Sequence, residues 1–372
     1  MLLPFTRPSM QEEELHGVRE VLESGWITTG PKARDFETSL GKYLGDGIHV
    51  RVFNSGTSAL EASLCATGIG PGDEVIVPAL SFVATANVVL RVGARPVFVD
   101  VDPGTRNIDA QAVAAAVSGH TRAVIPVHFA GLSADLDPLY ALAADNNLVI
   151  IEDAAQAIGT RYKGRQIGAS GNPVCFSFHP NKNITTIEGG AVASDDPKFI
   201  ERLERIRFHG IERDEAGNTD VAEWGGKMNL PDVGAVVGQA QLTKLSGFIE
   251  KRQLLAETYL DRLAHSELLV RPANAYGHSW NMFCICLRHE AMATTRGEIQ
   301  ALLLERGIST GIHYPAIHLF SLYRRLGYGP GDFPAAEQIG EHTLTLPLFP
   351  AMSVADIEQV CDAIAGILPQ EK

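Results

Sequence analysis

Lys182 sits in Phe176-Ser-Phe-His-Pro-Asn-Lys-Asn-Ile-Thr-Thr-Ile-Glu-Gly-Gly190, where an apolar run gives way to polar residues and a glycine pair. A lysine at the mouth of a covered sheet loses solvation, and its pKa falls toward that of a usable amine. Such amines form Schiff bases with carbonyl compounds. One lysine alone reads as a solvated surface group, so its company decides. Asp153, 29 residues earlier in Ile151-Glu-Asp-Ala-Ala-Gln-Ala-Ile-Gly159, closes another apolar run with a carboxylate. That position suits a protonated ring nitrogen, a metal or a helix cap. Glu152 points to the opposite strand face, so the two acids are not expected to share an ion. Asn54-Ser-Gly-Thr-Ser58 follows the strand-like His49-Val-Arg-Val-Phe53 and opens an Ala/Leu-rich stretch. Gly56, Thr57 and Ser58 then stand at a helix N-terminus, where free N–H groups and the dipole attract phosphate. An ordinary cap would use the same residues, and the G-x-x-x-x-G-K of a P-loop is absent.

Phosphate cup, acid and lysine, in that order, are what pyridoxal phosphate requires. Its phosphate needs an anchor, its ring nitrogen an acid that keeps it protonated, and its carbonyl an amine. Ser177 shares a strand face with Cys175, and Gly189-Gly190 permits close backbone approach. His179 flanks the lysine, as an orienting group or as a structural histidine.

Positioning these residues is the task of alternating elements. Residues 73–80, 95–102, 122–131 and 148–155 read as strands, nearly continuous apolar runs suited to burial on both faces. Residues 81–93, 109–119 and 135–147 between them read as helices. Such alternation predicts a mostly parallel, helix-covered sheet with its ligand beyond the strands' carboxyl ends. From about Leu242 one long amphipathic pattern bridges into a second texture. There residues 279–288 read as a strand, and helices start at Thr295, with a capping arrangement to Glu298 and a stop at Gly307, and at Ser353. The expected class is α/β: a large domain over 1–245 and a smaller α+β domain over 246–372, with residues 1–30 near a substrate pocket.

Composition narrows the rest. With 45% hydrophobic and 20% charged residues the chain is globular, and no window offers the ~20 apolar residues of a spanning helix. Thirty-one basic against 44 acidic residues disfavour nucleic acid as the main partner. Five cysteines without a C-x-x-C suggest neither a disulfide framework nor a zinc knuckle, and Cys284-Ile-Cys286 reads as buried strand. No basic and apolar leader opens the sequence, so the cytoplasm is the expected compartment.

Six stretches in order, Ser55–Leu64, Gly70–Val89, Gly93–Ala110, Val124–Leu139, Ile151–Gly168 and Phe176–Gly190, resemble the DegT/DnrJ/StrS family of sugar-nucleotide aminotransferases over almost the whole chain. Residues 5–32 and 305–353 look most like the branch that aminates a UDP-linked 4-keto-pentose for lipopolysaccharide. The resemblance implies a fold-type-I enzyme that moves the amino group of L-glutamate onto a nucleotide-linked ketosugar, at C4 or, alternatively, C3. It implies that Lys182 carries the cofactor as a Schiff base, that Asp153 meets the pyridine nitrogen, and that Gln156 meets the ring hydroxyl. Thr57, Ser58 and Ser177 would hold the phosphate, Phe82 would stack on the ring, and Ala155 would support its other face. Asn229 would reach the phosphate from the neighbouring subunit, making a homodimer necessary. Trp26, Thr28 and Thr29, with His313, Tyr314 and His318, would line the sugar pocket, although Trp26 also fits a hydrophobic staple. Leu230-Pro231 replaces a cationic residue found near Asn229 in many members, and Gln156 a histidine of the pentose branch. A dehydrating branch carries histidine in place of the lysine, which Lys182 opposes. A non-catalytic regulator would be marked by a DNA-binding module or a basic stripe, and neither is present.

Overall fold

The structure, a computed structural model, describes residues 2–275, 277–288 and 294–368. In chain order the first part holds α1 (Glu12–Ser24), α2 (Pro31–Leu44), β1 (His49–Phe53), α3 (Gly56–Ala66), β2 (Glu74–Pro78), α4 (Ala84–Arg91), β3 (Arg95–Val99), α5 (Ala110–Ala116) and β4 (Thr121–Val124). It continues with α6 (Leu136–Asn146), β5 (Val149–Ile150), β6 (Glu152–Asp153), the hairpin β7 (Arg161–Tyr162) and β8 (Arg165–Gln166), β9 (Val174–Ser177), β10 (Gly190–Ser194) and α7 (Pro197–Ile206). A second hairpin, β11 (Ile211–Arg213) and β12 (Thr219–Val221), precedes the long α8 (Asp232–Arg262). Then follow β13 (Leu269–Val270), β14 (Phe283–Leu287), α9 (Arg296–Glu305), α10 (Ser321–Arg324), α11 (Pro334–His342), β15 (Thr343–Leu346) and α12 (Val354–Ala365).

The β-branched runs pair as their apolar character predicts. β2 lies between β3 and β4, and β4 beside β5, all parallel. β6 continues β5 after one residue and pairs in parallel with β9, so the strand order runs β3-β2-β4-β5/β6-β9-β10-β1. Bonds from Ile151 N to Val124 O and from Asp153 N to Pro126 O, 3.0 and 2.8 Å, carry the ladder across the join. Only β10 runs against its neighbours. Helices cover both faces, and two hydrophobic cores form, one holding Val75, Val77 and Cys175, the other Val52, Ile76 and Phe176. Alternate residues of one strand thus enter opposite cores.

A third core lies over the antiparallel β13-β14-β15 sheet, with α9, α12 and the later half of α8. The expected box at Thr295 and Glu298 caps α9, and Ser353 with Asp356 caps α12 in the same way. Cys284 and Cys286 are buried on β14. α8 starts at Asp232 rather than near Gln241, because Gly234 and Gly238 act there as spacers and not as breakers. A Cβ on Gly238 would stand 2.6 Å from both Phe36 Cζ and Thr186 Cγ2. The first residues join the second lobe: Leu3 N donates to Gly307 O at 2.8 Å and Leu348 N to Phe5 O at 3.1 Å. Among the described residues no helix is long and apolar enough to cross a membrane.

Candidate active site

The carboxyl ends of β1, β6 and β9 point to one rim, and the sequence's candidate residues gather there. On β6 the alternation of strand side chains separates the two acids. Glu152 is fully buried and taken up by His128 Nε2 at 3.0 Å, Tyr140 Oη at 2.5 Å and Ser170 Oγ at 2.6 Å. Asp153, 5% exposed, faces the rim, where Thr85 Oγ1 donates to Oδ2 at 2.8 Å and Ala155 N to Oδ1 at 3.1 Å. Burial pushes its pKa up, and these neutral donors offset that only in part.

β9 ends at Ser177, and the chain loops through Lys182 back into β10. Phe178 ties the loop's ends: its N–H donates to Gly189 O at 2.8 Å and its carbonyl accepts Thr186 N at 3.0 Å. The lysine itself is held by its neighbours. Asn281 Nδ2 donates to Asn181 O at 3.1 Å and to Asn183 Oδ1 at 3.3 Å, while Asn183 Nδ2 donates to Ser279 O at 3.0 Å. Lys182 Nζ makes no hydrogen bond or ion pair among the described residues. Burial lowers its pKa to about 8, and the charge of Asp153 opposes the fall. His313, hydrogen-bonded through Nδ1 to Thr345 Oγ1 at 2.8 Å, is lowered to about 4 by burial and then by Lys182, so it stays neutral near pH 7.

Beside this pair, Ser55 caps α3 by accepting Ser58 N at 3.0 Å. Ser58 Oγ donates to Asn54 Oδ1 at 2.7 Å, whereas the Thr57 hydroxyl has no partner among the described residues. The helix end fits against β9 and β10 because two glycines let it. A Cβ on Gly190 would lie 2.5 Å from Ser55 O, and one on Gly56 2.8 Å from Ser177 Cβ. Phe82, 54% exposed, and Tyr314, their ring centroids 5.9 Å apart, form a side wall. Gln156 joins it: Oε1 accepts Ala130 N at 2.6 Å, and Nε2 donates to Tyr314 Oη at 3.2 Å with one amide hydrogen to spare.

Residues 8–365 match the DegT/DnrJ/EryC1/StrS aminotransferase family. The chain belongs to that family. The aminotransferase is similar to solved structures along almost all of its length. S. venezuelae DesV, in complex with a ketimine intermediate, is 34% identical, with 97% of this chain and 98% of that one covered at a TM-score of 0.89. The sugar aminotransferase Spr1654 of Streptococcus pneumoniae, in its PLP form, is 29% identical over 98% of both chains at 0.90. Helicobacter pylori PseC, an aminotransferase involved in pseudoaminic acid biosynthesis, is 28% identical over 98% and 99% at 0.92. This chain is a pyridoxal phosphate-dependent sugar aminotransferase of fold type I.

The residues at the rim of the aminotransferase fit that cofactor. A buried carboxylate without a cationic hydrogen-bond partner, an unpaired amine with a lowered pKa, an open helix N-terminus and an exposed aromatic ring converge there, and each lacks what a phosphorylated pyridine aldehyde offers.

Not every sequence candidate joins the group. Half-buried Ala155 does, through its N–H on Asp153. His318 does not: it is fully buried between Phe98 and Phe333, with Nε2 on Glu337 Oε1 at 3.0 Å. Asn229 bridges Phe53 at the end of β1, and its side chain engages Thr29 and Lys227. Thr28, Thr29 and Asn229 line a separate cleft of about 890 Å³. Trp26, 58% exposed, covers Gly30 and donates from Nε1 to Thr29 O at 3.4 Å. His179 is exposed and bonds to Asn181 Oδ1 at 2.8 Å through Nδ1, bracing the loop away from the amine. Two residues escaped the sequence reading, Thr85 and Asn281. Thr85 lies one turn after Phe82 and was within reach of helical spacing, whereas nothing local marks Asn281.

Proposed function

We propose that the aminotransferase carries the amino group of L-glutamate to a ketosugar linked to a nucleotide, with amination at C4. The observation that carries the site assignment is the facing of Lys182 and Asp153: an unpaired amine lowered to about 8 opposite a buried carboxylate. Bound at this rim, pyridoxal phosphate supplies a carbonyl that condenses with amines and a ring that accepts the electron pair released at carbon. Lys182 Nζ would hold the cofactor's carbonyl at rest and, once released from it, would carry protons at the donor's α-carbon in one half-reaction and at the sugar carbon in the other. Asp153 holds the ring nitrogen protonated, with its own oxygens oriented by Thr85 and Ala155. Gln156 offers its spare amide hydrogen to the ring hydroxyl. Gly56, Thr57 and Ser58 at the start of α3, with Ser177, would hold the phosphate, and Phe82 and Ala155 would support the ring. His313 and Tyr314 face the sugar of their own site, whereas Trp26, Thr28 and Thr29, set with Asn229 at the separate cleft, reach a sugar only across the dimer inferred below.

The working unit we infer is a homodimer in which Asn229 serves the neighbour's phosphate. Exposed Phe208 on the lining of the cleft at Asn229, with exposed Trp26 bonded to Thr29 of that lining, supports that assembly, since exposed apolar surface marks interfaces. The five cysteines are free thiols, which suits the cytoplasm. UDP-, GDP- and dTDP-linked ketosugars offered with glutamate, read by product mass and by NMR at the aminated carbon, test the substrate. C4-aminated product is expected, and amination only at C3 would overturn that choice. Lys182→Ala is expected to abolish turnover and the cofactor's lysine-linked absorbance band; normal transamination by that variant would remove the lysine from its role.

A further inference from the structure

Arg106 belongs to the loop after β3, at φ 63 and 4% exposed. Buried cations are ordinarily paired, because an uncompensated charge in a low dielectric is costly. This one makes no ion pair among the described residues. Its Nη2 donates to Cys286 Sγ at 3.4 Å, its guanidinium stands 6.0 Å from the Phe129 ring centroid, and Nη1 is buried without a hydrogen-bond partner. Beside it opens a cavity of about 380 Å³, lined also by Arg288, Gln338 and His342 and by apolar Val270 and Ile339. Among the described residues no carboxylate lines that space. Its volume falls within the range of small-molecule sites.

We propose that this cavity is a second binding site, for a small carboxylate- or phosphate-bearing anion held by the Arg106 guanidinium. A guanidinium presents parallel N–H groups to such oxyanions, and Arg288, exposed at the cavity, adds attraction. The apolar lining accommodates the rest of the molecule. The bound anion joins separate elements, because Arg106 comes from the loop after β3 whereas Cys286 and Arg288 come with β14 and Gln338 with α11. The site is distinct from the rim at Lys182. Phe129 stands between them, with its ring 6.3 Å from Tyr314 on one side and the Arg106 guanidinium on the other. Asn107, next in sequence to Arg106, accepts the Phe129 N–H at 2.8 Å, so the anion's seat abuts the wall of the rim. None of this depends on the substrate proposed above.

Calorimetric titration of the cofactor-loaded enzyme with inorganic phosphate and, separately, with succinate tests the site. Saturable binding of at least one is expected, weakened about tenfold or more by Arg106→Met and severalfold by Arg288→Glu, with the cofactor's absorbance unchanged. Phosphate alone binding assigns the phosphate class, succinate alone the carboxylate class, and both a general oxyanion seat. Arg106→Met removes an unpaired buried charge and should melt no lower than wild type in anion-free buffer. Should it not fold, Arg288→Glu at the exposed position carries the comparison. Absence of binding to either probe, or binding that neither substitution changes, would overturn the proposal.

Discussion

Asp153 and Lys182 set each other's charge. Burial drives the carboxyl up and the amine down, and the opposite charge of each pulls the partner back toward its ionised form. Replacing the acid tests this directly, and the sign is fixed. Asp153→Asn leaves burial acting alone, so the amine's pKa in the cofactor-free protein should fall below its present value of about 8. The pH dependence of Lys182 acylation measures it, and an upward shift would show that the carboxylate does not govern the amine. The same variant should keep cofactor bound yet lose most of the rate, because a neutral amide cannot hold a ring nitrogen protonated. His313 adds no competing titration near neutrality, since it is lowered to about 4.

At the scale of elements, two clamps hold the loop that carries Lys182. Arg252 Nη1 on α8 donates to Trp280 O, Asn281 O and Leu348 O at 3.1, 3.2 and 3.0 Å, and Asn281 in turn grips both neighbours of Lys182. Asn281→Ala would leave Asn181 O and Asn183 Oδ1 short of a donor at a cost of about 1–3 kcal/mol. Slower turnover with faster amide exchange at residues 181–183 is the expected outcome, read by kinetics and hydrogen exchange. Exchange unchanged in that loop would mean the clamp is idle. This is also where legibility in the sequence stops. β1, β9, the cap at Thr295 and the helix start at Ser353 were readable because their signals are local: apolar runs, a helical period, and at Thr295 a hydroxyl and an acid three residues apart. Asp153, Lys182 and the start of α3 were readable because their types and order are chemically unusual. Asn281 was not, since it meets Asn181 across 100 residues and an asparagine beside a strand looks like any other. The early start of α8 was hidden by two glycines whose reason lies in Phe36 and Thr186. His318 resembled a pocket residue only until the fold enclosed it.

For the whole molecule, assembly follows from what one chain leaves uncovered. If Asn229 serves the partner's site, then Lys182→Ala and Asn229→Asp chains, each impaired alone, should regain activity on mixing and reassembly. A mixed dimer rebuilds one intact site, so recovery up to about a quarter of wild type is expected by subunit exchange statistics. No recovery, with mixed dimers verified, would place Asn229 within its own site.

Both lobes also share α8, whose 31 residues make a rod of about 46 Å. Its Leu242 and Leu245 sit in one core and its Leu255 and Tyr259 in another, with Gly247 exposed near the crossing. A Cβ there would meet open space, so packing does not demand this glycine. A glycine at this joint leaves the helix about 0.5–1 kcal/mol weaker than alanine would. Gly247→Ala should therefore raise the melting temperature. If bending at this joint accompanies each catalytic cycle, the stiffened enzyme will also turn over more slowly, trading speed for durability.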